Sequence, residues 1–432
     1  MKQLIAFILV LLFSASVFGQ GKKDTIPYKL DEYFSALTNL KNFNGNVIIS
    51  NHGQILLDKT YNMQGVTDSL KVTRDSKFII ASVSKVFIKF SILKLAELKK
   101  IQLTDKLDKF IPDFPNGGKI TIEQLIRHQS GLPRELANEN SYDSLSLSKV
   151  VELAKLEKLQ FEPGTQTLYS NVGYFILHYI IDITSRNGYL AFIQNGIFKK
   201  MKLKNTLEFN YAKSVPKFAY GFDNDNGKII PISKKAINRF ETGNYLSTIS
   251  DLYSFSQQIL SGKILGKTLA LEMFGRDSVL IQAGGRPGYR AYFYKNLKTD
   301  VTFIFVSNYT DIPFQEVTAD IINIVDNKPY EVPYKINRKE IQLPIETLKN
   351  FTGKFALEAD LTQTLTIDLI GGKLFNIDTN GEKIELHPDS DNTFFENPNT
   401  KDGYIFTKSQ LTNKYELMII QTGLKLKTKR IE

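Results

Sequence analysis

The chain has 432 residues, 42% hydrophobic and 23% charged, which suits a large folded core and leaves no long disordered tract. Cysteine is absent, which excludes disulfides, thiolate nucleophiles and cysteine-zinc sites. The four histidines (His52, His128, His178 and His387) lack ligand spacing, so neither a metal centre nor an organic cofactor is expected. The net charge of +10 comes from lysines spread along the whole chain, so a solvated basic surface is expected and nucleic-acid binding is not.

Residues 1–20 read as an export signal: Lys2 supplies the charged start, Leu4 to Phe13 the apolar run, and Val17 and Gly19 the small residues near a cleavage site. The run is too short for a secure membrane span, so no stable span is expected after signal removal. An exported chain without cysteine suits a bacterial periplasm or the extracellular space.

Asn46 to Ser50 and Gln54 to Lys59 predict a β-hairpin turning at Asn51-His52-Gly53. From Ser82 to about Lys99, apolar residues at helical spacing predict a buried helix. Residues 103–242 read as helices punctuated by Pro112, Pro115, Pro133 and Pro163. Strands return at Ser278 to Ala283, Arg290 to Tyr294 and Val301 to Ser307, and Pro313 to Val325 predicts a closing helix. The order implies an α+β fold, one antiparallel sheet flanked by helices with a helical domain inserted and a site in the cleft. We expect residues 21–326 to form that domain, 327–347 a proline-stiffened linker, and 348–432 a separate all-β, barrel-like module without catalytic groups.

The chemistry concentrates in three stretches. Ser82-Val83-Ser84-Lys85 puts a serine and a lysine on one helical face, where a desolvated amine can take the hydroxyl proton. Ser-x-x-Lys recurs at Ser91, Ser146 and Ser214, but only Ser82 follows an extended apolar run and opens a helix that must be buried. Tyr169-Ser170-Asn171 offers a second proton shuttle and an amide donor. In Gln282-Ala283-Gly284-Gly285-Arg286-Pro287-Gly288, glycines let a substrate lie against a backbone strand, with Gln282, Gly284, Gly285 and Arg286 as candidate substrate contacts. No Gly-x-Ser-x-Gly elbow exists, and His128 reads as a structural loop histidine rather than a general base.

Together, over about residues 30–326, these motifs resemble the serine β-lactamase and penicillin-binding superfamily, in particular the branch of class C β-lactamases, DD-carboxypeptidases and related esterases. Leu103-Thr104-Asp105 to Pro112, Ile122-Glu123-Gln124-Leu125 to Pro133 and Gly243-Asn244-Tyr245-Leu246-Ser247-Thr248 add to the likeness. The resemblance implies Ser82 as nucleophile, Lys85 as its activating partner, Tyr169 as proton shuttle and Asn171 as substrate-amide donor. It also implies an oxyanion hole from the backbone N–H groups of Ser82 and Gly285. The third motif departs: where the family carries a cation and a hydroxyl before the glycine, this chain has Gln282 and Ala283, with Arg286 or Arg290 as substitutes for a carboxylate partner. The expected function is an exported serine hydrolase acting through an acyl-enzyme on a small ester, a D-amino-acid amide or peptide, including cell-wall peptide, or a β-lactam. The rival is a slowly acylating or non-catalytic peptide- or penicillin-binding sensor.

Overall fold

The computed structural model describes residues 25–137, 145–209, 213–225, 228–233, 244–358, 360–378, 381–421 and 424–431. The expected export signal and Gly243 lie outside them. Contacts divide the chain into two compact units, Met1–Asp311 and Ile312–Glu432, so the division falls ahead of the boundary expected at residue 326. The closing helix Phe314–Val325 falls with the second unit, where its Glu316 lies 3.9 Å from Lys401.

The first unit is built on a five-stranded antiparallel sheet. Its strands are β1 (Gly45–Asn51), β2 (Gln54–Tyr61), β8 (Val279–Arg286), β9 (Tyr289–Asn296) and β10 (Val301–Ser307), in the order β2-β1-β10-β9-β8. The β1–β2 turn is tight because His52 and Gly53 both take positive φ, 48° and 74°, the twist that a two-residue hairpin needs. Helix α1 (Ile26–Asn39) covers one face of the sheet through Leu30, Tyr33, Phe34 and Leu37, with the Phe34 ring against Phe43, Tyr61 and Phe303. Helix α2 (Lys85–Glu97) is apolar nearly all round, and eight of its residues are buried. A helix of that composition can only be central. Its Phe87 and Phe90 meet Phe255, which in turn meets Phe293 on β9.

The expected helix from Ser82 proves to be a composite. Ala81–Ser84 form a 3-10 turn, and the α-helix proper begins at Lys85. The turn leads out of β3 (Phe78–Ile79), which pairs with β7 (Tyr245–Ser247), itself paired with β4 (Leu207–Glu208). A further hairpin, β5 (Phe222–Asp225) with β6 (Lys228–Pro231), stands apart from that sheet.

The second unit contains a closed eight-stranded antiparallel barrel, β11 to β18, at Gly353–Leu357, Asp360–Ile370, Lys373–Ile377, Lys383–Pro388, Thr393–Phe395, Gly403–Lys408, Tyr415–Gln421 and Leu424–Arg430. Closure comes from β11 pairing with β18, which removes the open edges that an eight-stranded sheet would otherwise present. Phe351, Phe355, Leu374, Phe394, Phe406 and Leu417 form its core. Ser390-Asp391-Asn392 is a hydrogen-bonded turn between β14 and β15.

Candidate active site

Ser82 is held by a turn anchored on both sides to one residue of β7. The Ile80 N–H donates to the Tyr245 carbonyl at 3.1 Å, and the Tyr245 N–H donates to Ser84 Oγ at 3.4 Å. Between these anchors Ala81 takes φ 45°, a left-handed conformation that costs an L-residue about 1–2 kcal/mol. The sharp reversal lets a buried strand run directly into a buried helix with Ser82 half-exposed at the junction.

Opposite lies β8, the edge strand of the main sheet. A Cβ at Gly284 would meet the Ile80 carbonyl oxygen at 2.4 Å and the Ser82 and Val83 nitrogens at 3.1 Å. Glycine is therefore what allows the strand to touch the turn that carries Ser82. Side chains alternate along a strand, so Gln282 and Arg286 stand on the same face as Gly284.

Lys85 lies one helical turn on from Ser82, its Nζ 3.3 Å from Ser82 Oγ and donating to Asn171 Oδ1 at 2.6 Å. Burial of the amine pushes its pKa below the ordinary lysine value; contact with Tyr169 and the Glu135 carboxylate oppose this, while Arg286 reinforces it. A lysine shifted this way is more readily neutral, and a neutral amine can accept a hydroxyl proton.

The second motif is clamped by its neighbours. The Ser170 hydroxyl caps helix α3 (Asn171–Thr184), accepting from the Gly173 N–H at 2.9 Å and donating to the Pro133 carbonyl at 2.7 Å. The Ser170 N–H donates to His128 Nδ1 at 3.1 Å, and the Asn171 N–H to the Arg134 carbonyl at 2.9 Å. The His128 ring stacks on Tyr169 with centroids 4.5 Å apart. Burial, reinforced by Lys85 and Lys89, lowers the His128 pKa to about 4, so this neutral imidazole braces the loop, as the sequence suggested. Lys85 Nζ lies 5.0 Å from the Tyr169 ring centre, which brings Ser82, Lys85 and Tyr169 together.

Two expectations change in detail. Asn171, expected to offer its amide donor to a substrate, uses Oδ1 for Lys85 and donates from Nδ2 to Glu135 Oε1 at 2.6 Å. Arg290, one of two candidate carboxylate partners, turns Nη1 back to the Arg286 and Tyr289 carbonyls and lies in the field of Asp311 and Asp223. Arg286 is the arginine that lines the cavity with Ser82.

That cavity has a volume of about 230 Å³; besides Ser82, Lys85, Asn171, Gly285 and Arg286, its walls include Glu135, Phe175 and His178. Gln282 instead faces an adjoining cavity of about 350 Å³, which shares Lys85 and Tyr174 with the first. Sequence reasoning missed Glu135 and His178, since a single carboxylate or imidazole carries no motif. It also gave no sign that His387 meets Glu340 and Glu385, a group in which the Lys373 ammonium already lies 2.6 Å from Glu385.

The family model for Beta-lactamase matches residues 33–326. The chain belongs to this family. Penicillin-binding protein 4* of Bacillus subtilis is 25% identical over 412 residues, covering 85% of this chain and 90% of that protein. The octameric penicillin-binding protein homologue of Pyrococcus abyssi shares the fold with a TM-score of 0.62 at 17% identity, over 93% of this chain and 98% of that one. The D-amino acid amidase of Ochrobactrum anthropi has a TM-score of 0.56 at 19% identity, over 69% and 99% respectively. The fold is thus a β-lactamase and penicillin-binding protein core followed by a closed barrel. Among the described residues, no helix is long and apolar enough to cross a membrane.

Gly284→Ala tests the close approach. The added Cβ must displace β8 or the turn, so the variant should lose about 1–3 kcal/mol of stability. It should also lose most labelling of Ser82 by a fluorophosphonate probe, the two effects being read by thermal unfolding and by probe attachment. Wild-type behaviour in both assays would show that the contact is not tight.

Proposed function

We propose that this protein is an exported serine hydrolase that cleaves a small ester, amide or peptide through an acyl-enzyme on Ser82. The observation that carries the reading is the desolvated Lys85 amine, 3.3 Å from Ser82 Oγ and fixed from the other side by Asn171. Ser82 Oγ attacks the carbonyl carbon while its proton passes to Lys85 or Tyr169, forming the Oγ–C bond. The N–H groups of Ser82 and Gly285 stabilise the oxyanion. Collapse breaks the bond to the leaving alcohol or amine, which takes a proton back through Tyr169. Water then attacks the acyl-serine, releasing the carboxylic acid and restoring the hydroxyl. These steps use only side chains and backbone.

Lys2 and the apolar run Leu4 to Phe13 support export, and the amidase among the fold neighbours supports an amide as one substrate. Cell-wall peptide fits the family relationship to penicillin-binding proteins. Mass spectrometry of the protein recovered from the envelope or medium should find the chain cleaved near about residue 20. An intact N-terminus there would mean that the signal is retained.

Ser82→Ala should abolish attachment of a fluorophosphonate probe, and Lys85→Ala should slow it by roughly 100-fold or more, the scale of a lost general base. Labelling that survives Ser82→Ala rejects the nucleophile. Stable acylation without turnover of any ester or amide would instead favour the sensor reading.

With no formal charge at Gln282, wild type should prefer neutral substrates over those bearing a carboxylate beside the scissile bond. Gln282→Lys should shift the ratio of kcat/KM toward the carboxylate member by roughly 10-fold or more, the worth of one charge-assisted hydrogen bond. Should wild type already favour the anion and Arg286→Ala abolish the preference, the carboxylate contact belongs to Arg286.

A further inference from the structure

Side-chain alternation decides which residues enter the barrel of the second unit. Leu374, Leu386, Phe406 and Leu417 point inward and pack with Phe351 and Phe394 at one end of the interior. Two residues along on the same strand faces the composition changes: Asn376 and Ile384 are opposite each other on β13 and β14, and Tyr404 and Ile419 on β16 and β17. These four residues, with Glu396 two beyond Phe394, border a cavity of about 550 Å³. An eight-stranded barrel is just wide enough to be filled by side chains or to hold one small ligand. Here the aromatic end is filled, and the other end keeps a cavity that exposed Gln363, Glu396 and Gln421 open to solvent.

The cavity is apolar on one part of its wall and acidic on another. Leu357, Leu365, Ile384, Ile419 and Leu426 supply aliphatic surface, while Asp378, Glu396 and Asp402 bring three carboxylates to it. Although the chain carries a net charge of +10, no lysine, arginine or histidine is among the described residues that line this cavity. The two cations beside Asp402 are engaged elsewhere. Arg338 donates to the Asp402 backbone carbonyl but pairs its charge with Asp389, and Lys401 pairs with Glu331 at 2.6 Å. The polar part is also ordered. Tyr404, only 6% exposed, donates its hydroxyl proton to Glu396 and accepts from Asn376 Nδ2 at 2.8 Å. Burial first, and then the bond to Glu396, push the Tyr404 pKa far above the ordinary tyrosine value, so the phenol keeps that proton. Because the proton goes to Glu396, Asn376 must offer the phenol its N–H, and its Oδ1 is left without a hydrogen-bond partner. The wall is thus short of donors and positive charge, and Glu396 retains lone pairs for a further contact. Carboxylates gathered in one cavity repel one another, and a cation relieves that repulsion.

We propose that this end of the barrel is a binding site for a small organic cation, an ammonium group on an apolar body. Glu396, Asp378 and Asp402 meet the charge, and the aliphatic wall takes the body. A neutral polyol would leave the aliphatic wall unused, and an anion would meet the three carboxylates. The site lies wholly within the second unit, forms no covalent bond and does not depend on the acyl-enzyme reading. The barrel then serves as a ligand-holding module, which gives a purpose to a unit that carries no catalytic group.

The test titrates the full chain with hexylammonium, 1-hexanol and hexanoate, three probes with one apolar body and three charges, by calorimetry at neutral pH. A primary amine is protonated there. In wild type, hexylammonium should bind roughly 10-fold or more tighter than hexanol, the worth of one charged contact, and hexanoate should not bind; this arm needs no variant to fold. Glu396→Gln keeps an oxygen to accept from Tyr404 but loses the charge, and should weaken hexylammonium by roughly 10-fold while leaving hexanol unchanged. Asp402→Asn, which spares the backbone carbonyl that Arg338 uses, should weaken the ammonium further in the double variant. Location is read with Ile384→Trp, which places the chain's sole tryptophan at a wall position that is 39–40% exposed to solvent and tolerant of bulk. Its emission should shift as hexylammonium is added. The proposal is overturned if hexylammonium does not bind, or if hexanol or hexanoate binds as tightly as the ammonium. It is equally overturned if Glu396→Gln leaves the ammonium affinity unchanged, or if the ammonium binds with no change in Ile384→Trp emission, which puts its site outside the barrel.

Discussion

The site depends on how one lysine amine is kept out of water. Three stretches far apart in the chain converge on Lys85: the turn carrying Ser82, the capped start of α3 carrying Asn171, and the face of β8 carrying Arg286. Each convergence has a structural cause. Helix α2 is buried because almost no face of it is polar, which drags Lys85 inward with it. The loop from His128 to Glu135 is tied to Leu168 to Asn171 by backbone and side-chain hydrogen bonds, which fixes Asn171 on its other side. Strand β8 closes the third side because Gly284 leaves no Cβ between it and the Ile80 carbonyl. Loosening any of the three would let water to the amine and return its pKa toward the ordinary value.

Much of this was legible in the sequence, for reasons that differ by residue. Ser82 and Lys85 could be singled out because a helix too apolar for the surface follows them. Tyr169 to Asn171 and the glycine run gained meaning only in combination with that helix. The β1–β2 hairpin and the strands β8 to β10 announced themselves through alternation and turn residues. The 3-10 turn under Ser82 was not legible, since it comes from the reversal at Ala81, and alanine gives no sign of a positive φ. The direction of the Asn171 amide was equally hidden, because it is decided by Glu135, 36 residues earlier in the chain. Arg286 and Arg290 looked equivalent on paper. Their separation follows from side-chain alternation, and Asp311 and Asp223 act on Arg290.

The β module shows the same division between local and global information. Alternating strands and glycine turns predicted an all-β unit, but nothing local says that β18 returns to pair with β11. Closure is a property of strand number and stagger together. The helix Phe314–Val325 is claimed by two divisions of the chain: the family model runs through it to residue 326, while its Glu316 meets Lys401 within the second compact unit.

The distribution of charge around Ser82 separates this chain from the pattern its family resemblance implies. A cation beside the third motif would favour a substrate carboxylate, and here that position holds Gln282, which faces the adjoining cavity rather than the one with Ser82. The carboxylate of Glu135 stands instead beside the opposite motif, hydrogen-bonded to Asn171. Arg286 remains in the wall of the Ser82 cavity, so that cavity presents a cation and a carboxylate together. Neither touches the geometry of Ser82 and Lys85. The approach of Lys85 to Ser82 can therefore persist while the charges around it change, because Lys85 owes its lowered pKa first to burial and only secondarily to those charges.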